Sequence, residues 1–153
     1  MKKEITLAAL SAVALITFLG SASYLLFPKV SVQAYTASID VYTQRGGQGA
    51  DKPSGNFSQL EKVYLYAELR NASNAPLASR LVAYEIHKPP NGTDGKSIVI
   101  PSTSTTNSSG IAEMYFTLPP SEAPNSIGRW LVYVTAQADD QIVADTLTFG
   151  CNE

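Results

Sequence analysis

The sequence contains one cysteine, Cys151, and one histidine, His87, and these two side chains limit the chemistry that the chain can perform. A zinc site takes several His or Cys ligands, so this pair alone cannot build one. A Ser-His-Asp triad would need His87 as its base, and no nucleophile motif accompanies it. We therefore expect no enzymatic activity, and we interpret His87 as a solvated residue at the end of a strand.

Two adjacent carboxylates, Asp139 and Asp140, are the next candidates. Together with loop carbonyls they could hold a Ca²⁺ ion, but the neighbouring residues lack the spacing of a calcium loop. A glycosidase-like acid pair would need a cleft that the sequence does not indicate. A two-residue hairpin turn explains both aspartates, so we expect no metal and no cofactor.

The charge distribution argues against a nucleic-acid partner. Three of the 11 basic residues and one of the 13 acidic residues precede Tyr35, which leaves 8 basic and 12 acidic residues in the remainder. No basic stripe is present that could neutralise phosphates. The glycine-rich stretch 44–58 is interpreted as a loop and not as a phosphate-binding loop, because Pro53 follows Lys52 and the P-loop spacing fails.

The first structural element that the sequence predicts is an uncharged run from Ile5 to Phe27. As a helix it is about 35 Å long, enough to cross a bilayer. Lys2 and Lys3 before the run favour a cytoplasmic N-terminus, which places the remaining chain outside. We expect residues 1–34 to form a leader that meets the membrane through residues 5–27, and residues 35–153 to form one domain.

Two fates of this leader remain open. Its length favours a retained signal-anchor, because the apolar core of a cleaved signal peptide is usually shorter. The small-residue patterns Val32-Gln33-Ala34 and Ser21-Ala22-Ser23 favour cleavage instead. The sequence thus predicts a domain that is held on the outside of the cell membrane or secreted.

Beyond Tyr35, short runs of alternating apolar and polar residues recur between turn residues, which is typical of strands. The candidate strands are Tyr35–Tyr42, Lys62–Arg70, Arg80–His87, Ser97–Ser102, Ile111–Leu118, Arg129–Ala138 and Gln141–Phe149. This pattern predicts an all-β, Ig-like β-sandwich of about seven strands.

Two of these strands have features of their own. Ser97–Ser102 is interpreted as an edge strand that Pro101 ends. In the last strand, Ile142 and Ala144 compete with Val143, Leu147 and Phe149 for the core, and a bulge or burial on both faces would explain that ambiguity.

Two short motifs carry a family resemblance. Thr106-Asn-Ser-Ser-Gly-Ile-Ala112 leads into one strand, and Gly128-Arg-Trp-Leu-Val-Tyr-Val134 opens another. Their order resembles the bacterial Ig-like domains of invasin and intimin type and the macroglobulin-type Ig-like domains. The glycine can supply a positive φ, the asparagine can bond its own backbone, and Trp130 would be an anchor between two sheets.

The resemblance implies a stalk or spacer unit of a surface protein. The macroglobulin relatives add a reactive thioester, and Gly150-Cys151-Asn152-Glu153 resembles its start. The Gln whose side chain would form the ester with the cysteine does not follow, so we expect no thioester.

Two sets of surface residues are candidate sites. Four sequons predict glycosylation at Asn56, Asn71, Asn91 and Asn107, although Asn, Ser and Thr also populate turns for local reasons. Four tyrosines, Tyr64, Tyr66, Tyr115 and Tyr133, alternate with the expected core residues and could line an aromatic binding or assembly surface. Their strand propensity, with partial burial under loops, is the alternative explanation.

Together these features predict a non-catalytic surface module for adhesion or envelope structure, with a protein or glycan partner. The alternative is a filament subunit, since pilins and archaeal flagellins also join an N-terminal apolar helix to a β-rich head. Glu4 before the run is pilin-like, but the small-residue cleavage site expected ahead of the helix is missing.

Overall fold

The computed structural model describes residues 36–49, 53–89, 99–120, 123 and 126–153, and these residues contain strands and turns but no helix. A bilayer-spanning helix is therefore not found among the residues that the structure describes. The run 5–27 lies outside the described residues. The strands are β1 (Ser38–Thr43), β2 (Phe57–Ser58), β3 (Lys62–Arg70), β4 (Leu81–His87), β5 (Val99–Thr105), β6 (Ile111–Thr117), β7 (Gly128–Ala138) and β8 (Gln141–Asn152).

These strands form two sheets, one with the order β1-β3-β6 and one with the order β2-β8-β7-β4-β5. All neighbours are antiparallel except β2, which runs parallel to β8. The prediction of an all-β domain is confirmed. β2 was missed because Phe57 and Ser58 lie in the stretch predicted as a loop, and only pairing with Cys151 and Asn152 makes them a strand.

The edge position predicted for the strand around Pro101 is confirmed, but Pro101 does not end it. β5 continues to Thr105 and pairs with β4 alone among the described strands. Proline lacks a backbone N–H, and an edge strand accommodates it because one side of its backbone has no ladder to maintain.

One face of each sheet contributes to a single hydrophobic core. The predicted alternation is confirmed in β3, β4 and β7, where every second side chain is buried. Trp130 of β7 is fully buried, and its ring lies 5.7 Å from the ring of Phe116 in the other sheet. The hydroxyl of Tyr84 on β4 donates to the carbonyl oxygen of Ala112 on β6 at 3.1 Å, so a hydrogen bond also joins the two sheets.

The structure decides the orientation of the last strand. Leu147 and Phe149 are buried, whereas Ile142 is 82% exposed. β8 pairs with β7 without interruption from Gln141 to Cys151, so no bulge is present in this pair. Asp139 and Asp140 form the two-residue hairpin between β7 and β8, as predicted.

The turn before β6 has the geometry that its sequence predicted. Asn107 Oδ1 accepts hydrogen bonds from the backbone N–H groups of Ser109 and Ile111 at 2.9 and 3.2 Å. Gly110 has a φ of 76°, and a Cβ at this position would lie 2.6 Å from the carbonyl oxygen of Leu69. Glycine is therefore needed here both for its backbone conformation and for close approach to β3.

Candidate functional site

Four tyrosines lie on the outer side of the three-stranded sheet, a surface that we call the tyrosine face. Strand pairing sets Tyr42 directly opposite Tyr66, and Tyr64 directly opposite Tyr115. The first pair is stacked with ring centroids 5.3 Å apart, and the centroids of the second pair are 5.6 Å apart. Lys62 Nζ lies 4.8 Å from the centroid of Tyr115, within cation–π range.

The surroundings of Tyr42 and Tyr66 on the tyrosine face favour the neutral form of their hydroxyl groups. Burial, followed by the nearby carboxylate of Glu68, raises the pKa of Tyr42 above its ordinary value. Burial, followed by the carboxylate of Glu113, raises the pKa of Tyr66 in the same way. Neutral phenols both donate and accept hydrogen bonds, so the face combines apolar ring area with polar groups of both kinds.

The predicted tyrosine set is divided between the two sheets. Tyr64, Tyr66 and Tyr115 share the tyrosine face, whereas Tyr133 lies on the outer side of the five-stranded sheet. Tyr42, which the prediction omitted, completes the face. Its signal was present in the sequence, because Tyr42 alternates with the buried residues Ile39 and Val41 once the strand register is known.

Tyr133 belongs instead to an open cavity of about 460 Å³, which we call the His87 groove. Its lining residues are Ala83, Glu85, His87, Tyr133 and Thr135. The rings of His87 and Tyr133 meet edge to face with centroids 5.0 Å apart. His87 lies at a strand end as expected, but its side chain is only 23% exposed, so the expectation of a solvated histidine was wrong.

The polar atoms of the His87 groove are incompletely paired. His87 Nε2 is buried and has no hydrogen-bond partner among the described residues. The nearest carboxylate oxygen, Glu85 Oε2, is 3.6 Å away, which is too far for a hydrogen bond. Glu85 is itself 64% exposed in its side chain. The groove thus presents a potential donor and an acceptor side by side.

Three of the four predicted glycosylation sites are described, and Asn91 lies outside the described residues. Asn71 Oδ1 accepts from the backbone N–H groups of Ser73 and Ala75, each at 2.9 Å, so Asn71 stabilises its turn just as Asn107 does. Asn56 packs against the backbone of Gly150, where a Cβ would lie 2.4 Å from Asn56 Oδ1. The turn bonds of Asn71 and Asn107 use the side-chain oxygen and not the nitrogen that carries a glycan.

The remaining candidate groups, Cys151 and Asp139, are buried in the domain or paired with another side chain. Cys151 is buried, and burial together with the carboxylate of Glu61 raises the pKa of its thiol, which disfavours the reactive thiolate. Asp139 forms an exposed ion pair with Arg80 at 3.3 Å. The described part of the chain contains no group of three or more His, Cys, Asp or Glu side chains that could hold a metal ion.

No protein-family model matches the sequence. No curated protein matches it either. Several solved structures resemble the fold at low sequence identity. PorU from Porphyromonas gingivalis matches with a TM-score of 0.53 and 13% identity over 77% of this chain and 13% of that chain. A superoxide reductase (neelaredoxin) from Ignicoccus hospitalis matches with a TM-score of 0.48 and 4% identity over 75% of this chain and 80% of that chain.

An engineered protein matches with a TM-score of 0.47 and 9% identity over 76% of this chain. This chain spans 20% of the length of that engineered protein. At such identities the likeness concerns the fold alone, and the PorU match agrees with an all-β domain of two sheets.

Proposed function

We propose that this chain is a non-catalytic module on the outside of the cell, anchored in the membrane or secreted, that serves adhesion or envelope structure. The observation that carries the proposal is the tyrosine face, which places four aromatic rings on the outer side of one sheet. The apolar run 5–27 after Lys2 and Lys3 supports export of the domain that bears this face.

We further assign the two sheets to an Ig-like β-sandwich. The shared core, the antiparallel pairing of seven strands and the Trp130–Phe116 contact between the sheets support this assignment. The turn from Asn107 to Gly110 also supports it, since its geometry matches the motif that carries the family resemblance.

The tyrosine face suits a protein partner. Tyrosine rings supply rigid, amphipathic contact area at a low cost in conformational entropy. Within each cross-strand pair, the contact between the two rings restricts the rotamers of both side chains before any partner binds. Such pre-organisation reduces the ordering cost of association.

We infer the lack of catalytic activity from the surroundings of the two side chains that are most able to react, Cys151 and His87. The thiol of Cys151 is buried with a raised pKa. His87 has Glu85 as a neighbour, and its Nε2 is hydrogen-bonded to no nucleophile among the described residues. Strong hydrolase or transferase activity of the purified protein would contradict this part.

Export is tested by protease treatment of intact cells and by probing of the culture medium. The proposal expects the domain to be degraded on intact cells or recovered from the medium. A chain that stays protected in the cytosol overturns it. Electron microscopy of the same cells tests the filament alternative, which Glu4 before the apolar run suggests, because filaments labelled by an antibody to this chain would establish that alternative instead.

Binding through the tyrosine face is tested by the double substitution Tyr64→Ala and Tyr115→Ala. We expect cells that display this variant to lose adhesion. The pair includes Tyr115, which is 57% exposed and is the most exposed of the four rings of the tyrosine face. Ile142→Ala is the matched control, because Ile142 is a large exposed residue on the other sheet. Equal adhesion of the two variants, with unchanged surface levels, overturns the role of the tyrosine face.

A further inference from the structure

The outer side of the five-stranded sheet differs in charge from the rest of the domain. Glu85 is the one carboxylate and Arg129 the one lysine or arginine among the outward residues of β4, β5, β7 and β8, although acidic residues outnumber basic ones beyond Tyr35. The outward residues of these strands are Leu81, Ala83, Glu85, His87, Val99, Pro101, Thr103, Thr105, Arg129, Leu131, Tyr133, Thr135, Gln137, Ile142, Ala144, Thr146, Thr148, Gly150 and Asn152. This surface therefore favours neutral ligands.

The His87 groove lies within this surface, and its unpaired imidazole nitrogen is the second observation. A buried polar atom without a partner costs free energy, and such an atom in a cavity often marks a binding position. His87 Nε2 and Glu85 Oε2 are 3.6 Å apart, too far for a hydrogen bond to each other, so each can bond to a ligand instead. In the Nε2–H tautomer, one ligand hydroxyl can accept a hydrogen bond from His87 and a neighbouring hydroxyl can donate one to Glu85.

We propose that the His87 groove binds a neutral saccharide. The vicinal hydroxyls of a sugar satisfy the His87–Glu85 pair, and Thr135 offers a further hydroxyl at the groove wall. The ring of Tyr133, 42% exposed, and the small side chain of Ala83 leave an apolar surface for the C–H face of the sugar ring. The cavity of about 460 Å³ lies within the range of small-ligand sites.

The charge of the groove distinguishes neutral sugars from acidic ones. The described residues that line it include no lysine or arginine, and Glu85 repels an anionic ligand. A phosphate or a sialic acid would place its charge beside that carboxylate with no compensating cation from these lining residues. The site therefore favours uncharged hexose or N-acetylhexosamine units.

The test uses nuclear magnetic resonance of the full chain in a zwitterionic detergent that carries no sugar headgroup. His87 is the only histidine, so its ring resonances report on the groove without ambiguity. The probes are cellotriose, maltotriose, mannotriose and chitotriose, with sialyllactose as the acidic comparison. We expect at least one neutral trisaccharide to shift the His87 resonances saturably below about 10 mM, and sialyllactose to bind more weakly.

Variants test the roles of the groove residues by calorimetry with the trisaccharide that binds best. Glu85→Ala and Tyr133→Ala are expected to weaken binding at least tenfold, and Glu85→Gln, which keeps the shape and an acceptor oxygen, to weaken it less. Ile142→Ala, on the same outer surface but away from the groove, should bind as the unmodified chain does. The fluorescence of Trp130, the only tryptophan, verifies that each variant is folded.

Three results overturn this inference: no shift of His87 with any neutral trisaccharide, tighter binding of sialyllactose, or unchanged affinity in both Glu85 variants and Tyr133→Ala. The site does not depend on the proposed function, and the two can fail separately. An exported chain that binds no saccharide overturns the groove alone. Saccharide binding by a chain confined to the cytosol overturns the proposed function alone.

Discussion

The carboxylate of Asp145 accepts a hydrogen bond from the backbone N–H of Val41 at 2.8 Å and thereby joins β8 of one sheet to β1 of the other. Val41 pairs with Ala67 of β3 on its other side. Asp145 occupies the core-facing row of β8, two residues before the buried Leu147. β1 is an edge strand, and the outer backbone N–H groups of an edge strand have no neighbouring strand to accept from them. Asp145 supplies the acceptor for the N–H of Val41, which explains a charged residue in the core-facing row.

Substitution of Asp145 by Ala should therefore destabilise the domain. The N–H of Val41 loses its acceptor, and the loss of a hydrogen bond to a charged group costs about 1–3 kcal/mol. Urea denaturation followed by Trp130 fluorescence measures the change in the free energy of unfolding. Asp140→Ala, at the exposed hairpin, is the control and should change that free energy by less than about 0.5 kcal/mol. Similar values for the two variants would contradict the bridging role.

Gly110→Ala should destabilise the domain more than Gly46→Ala. Both glycines have a positive φ, 76° and 99°, so both variants carry the backbone strain of a left-handed residue, about 1–2 kcal/mol. Only at Gly110 would the new Cβ also meet backbone, the carbonyl oxygen of Leu69 at 2.6 Å, whereas nothing lies within 4 Å at Gly46. We expect the Gly110 variant to lose at least about 1 kcal/mol more. Thermal denaturation of both proteins measures the difference, and equal melting temperatures would refute the close approach.

Stability should fall as the pH rises above about 10. Burial raises the pKa of Tyr84 above the ordinary value of 10.0, and it raises the pKa of Tyr42 and Tyr66 in the same direction. The folded chain then binds phenolic protons more tightly than the unfolded chain, so the contribution of these tyrosines to the free energy of unfolding is constant below their ordinary pKa and decreases above it. Urea denaturation between pH 8 and about 11 tests this sign.

Tyr84→Phe separates the contribution of the buried phenol from the others. At neutral pH this variant should lose about 1 kcal/mol, because the carbonyl of Ala112 loses its donor. The difference from the unmodified protein should narrow as the pH rises, since only the unmodified chain has a buried phenol at this position to ionise. A difference that widens with pH would show that the sign is wrong.

Cys151 should react slowly with a thiol reagent while the domain is folded. Its side chain is 1% exposed, and burial raises the pKa of the thiol, so both access and thiolate population are reduced. At pH 8 we expect labelling at least ~100-fold slower in buffer than in concentrated urea. Mass spectrometry of the labelled chain gives both rates. Equal rates would mean that the end of β8 opens readily and that its pairing with β2 contributes little.

The strands with strict alternation could be read directly from the sequence. In β3, the buried set Val63, Leu65, Ala67 and Leu69 follows from a period of two, and in β7 Trp130 follows in the same way. The turn at Asn107 and Gly110 was also readable, because each residue type has a local reason to occupy its position. β2 was not readable, since two residues carry no period and its bonds come from a strand far along the chain.

The candidate sites, like the strands, were predictable from the sequence only in part. Sequence alternation identified Tyr64, Tyr66 and Tyr115 as outward residues, but it could not assign Tyr133 to a different sheet or show that Tyr42 lies opposite Tyr66. Sheet membership depends on which strands pair, and pairing is decided by contacts between residues distant in sequence. For that reason the His87 groove was invisible in the sequence, although each residue of β4 and β7 that lines it was already placed on a strand.

By itself, the sequence determined the all-β class, most strand positions, the two-residue hairpin at Asp139 and Asp140 and the outward direction of the tyrosines. These properties depend on side-chain period and on local backbone preferences, which act over a few residues. Only the tertiary structure decided the strand order, the inward position of Asp145 opposite Val41 and the meeting of His87 with Tyr133. Each of these requires that distant segments share one core, and no local pattern encodes that partnership.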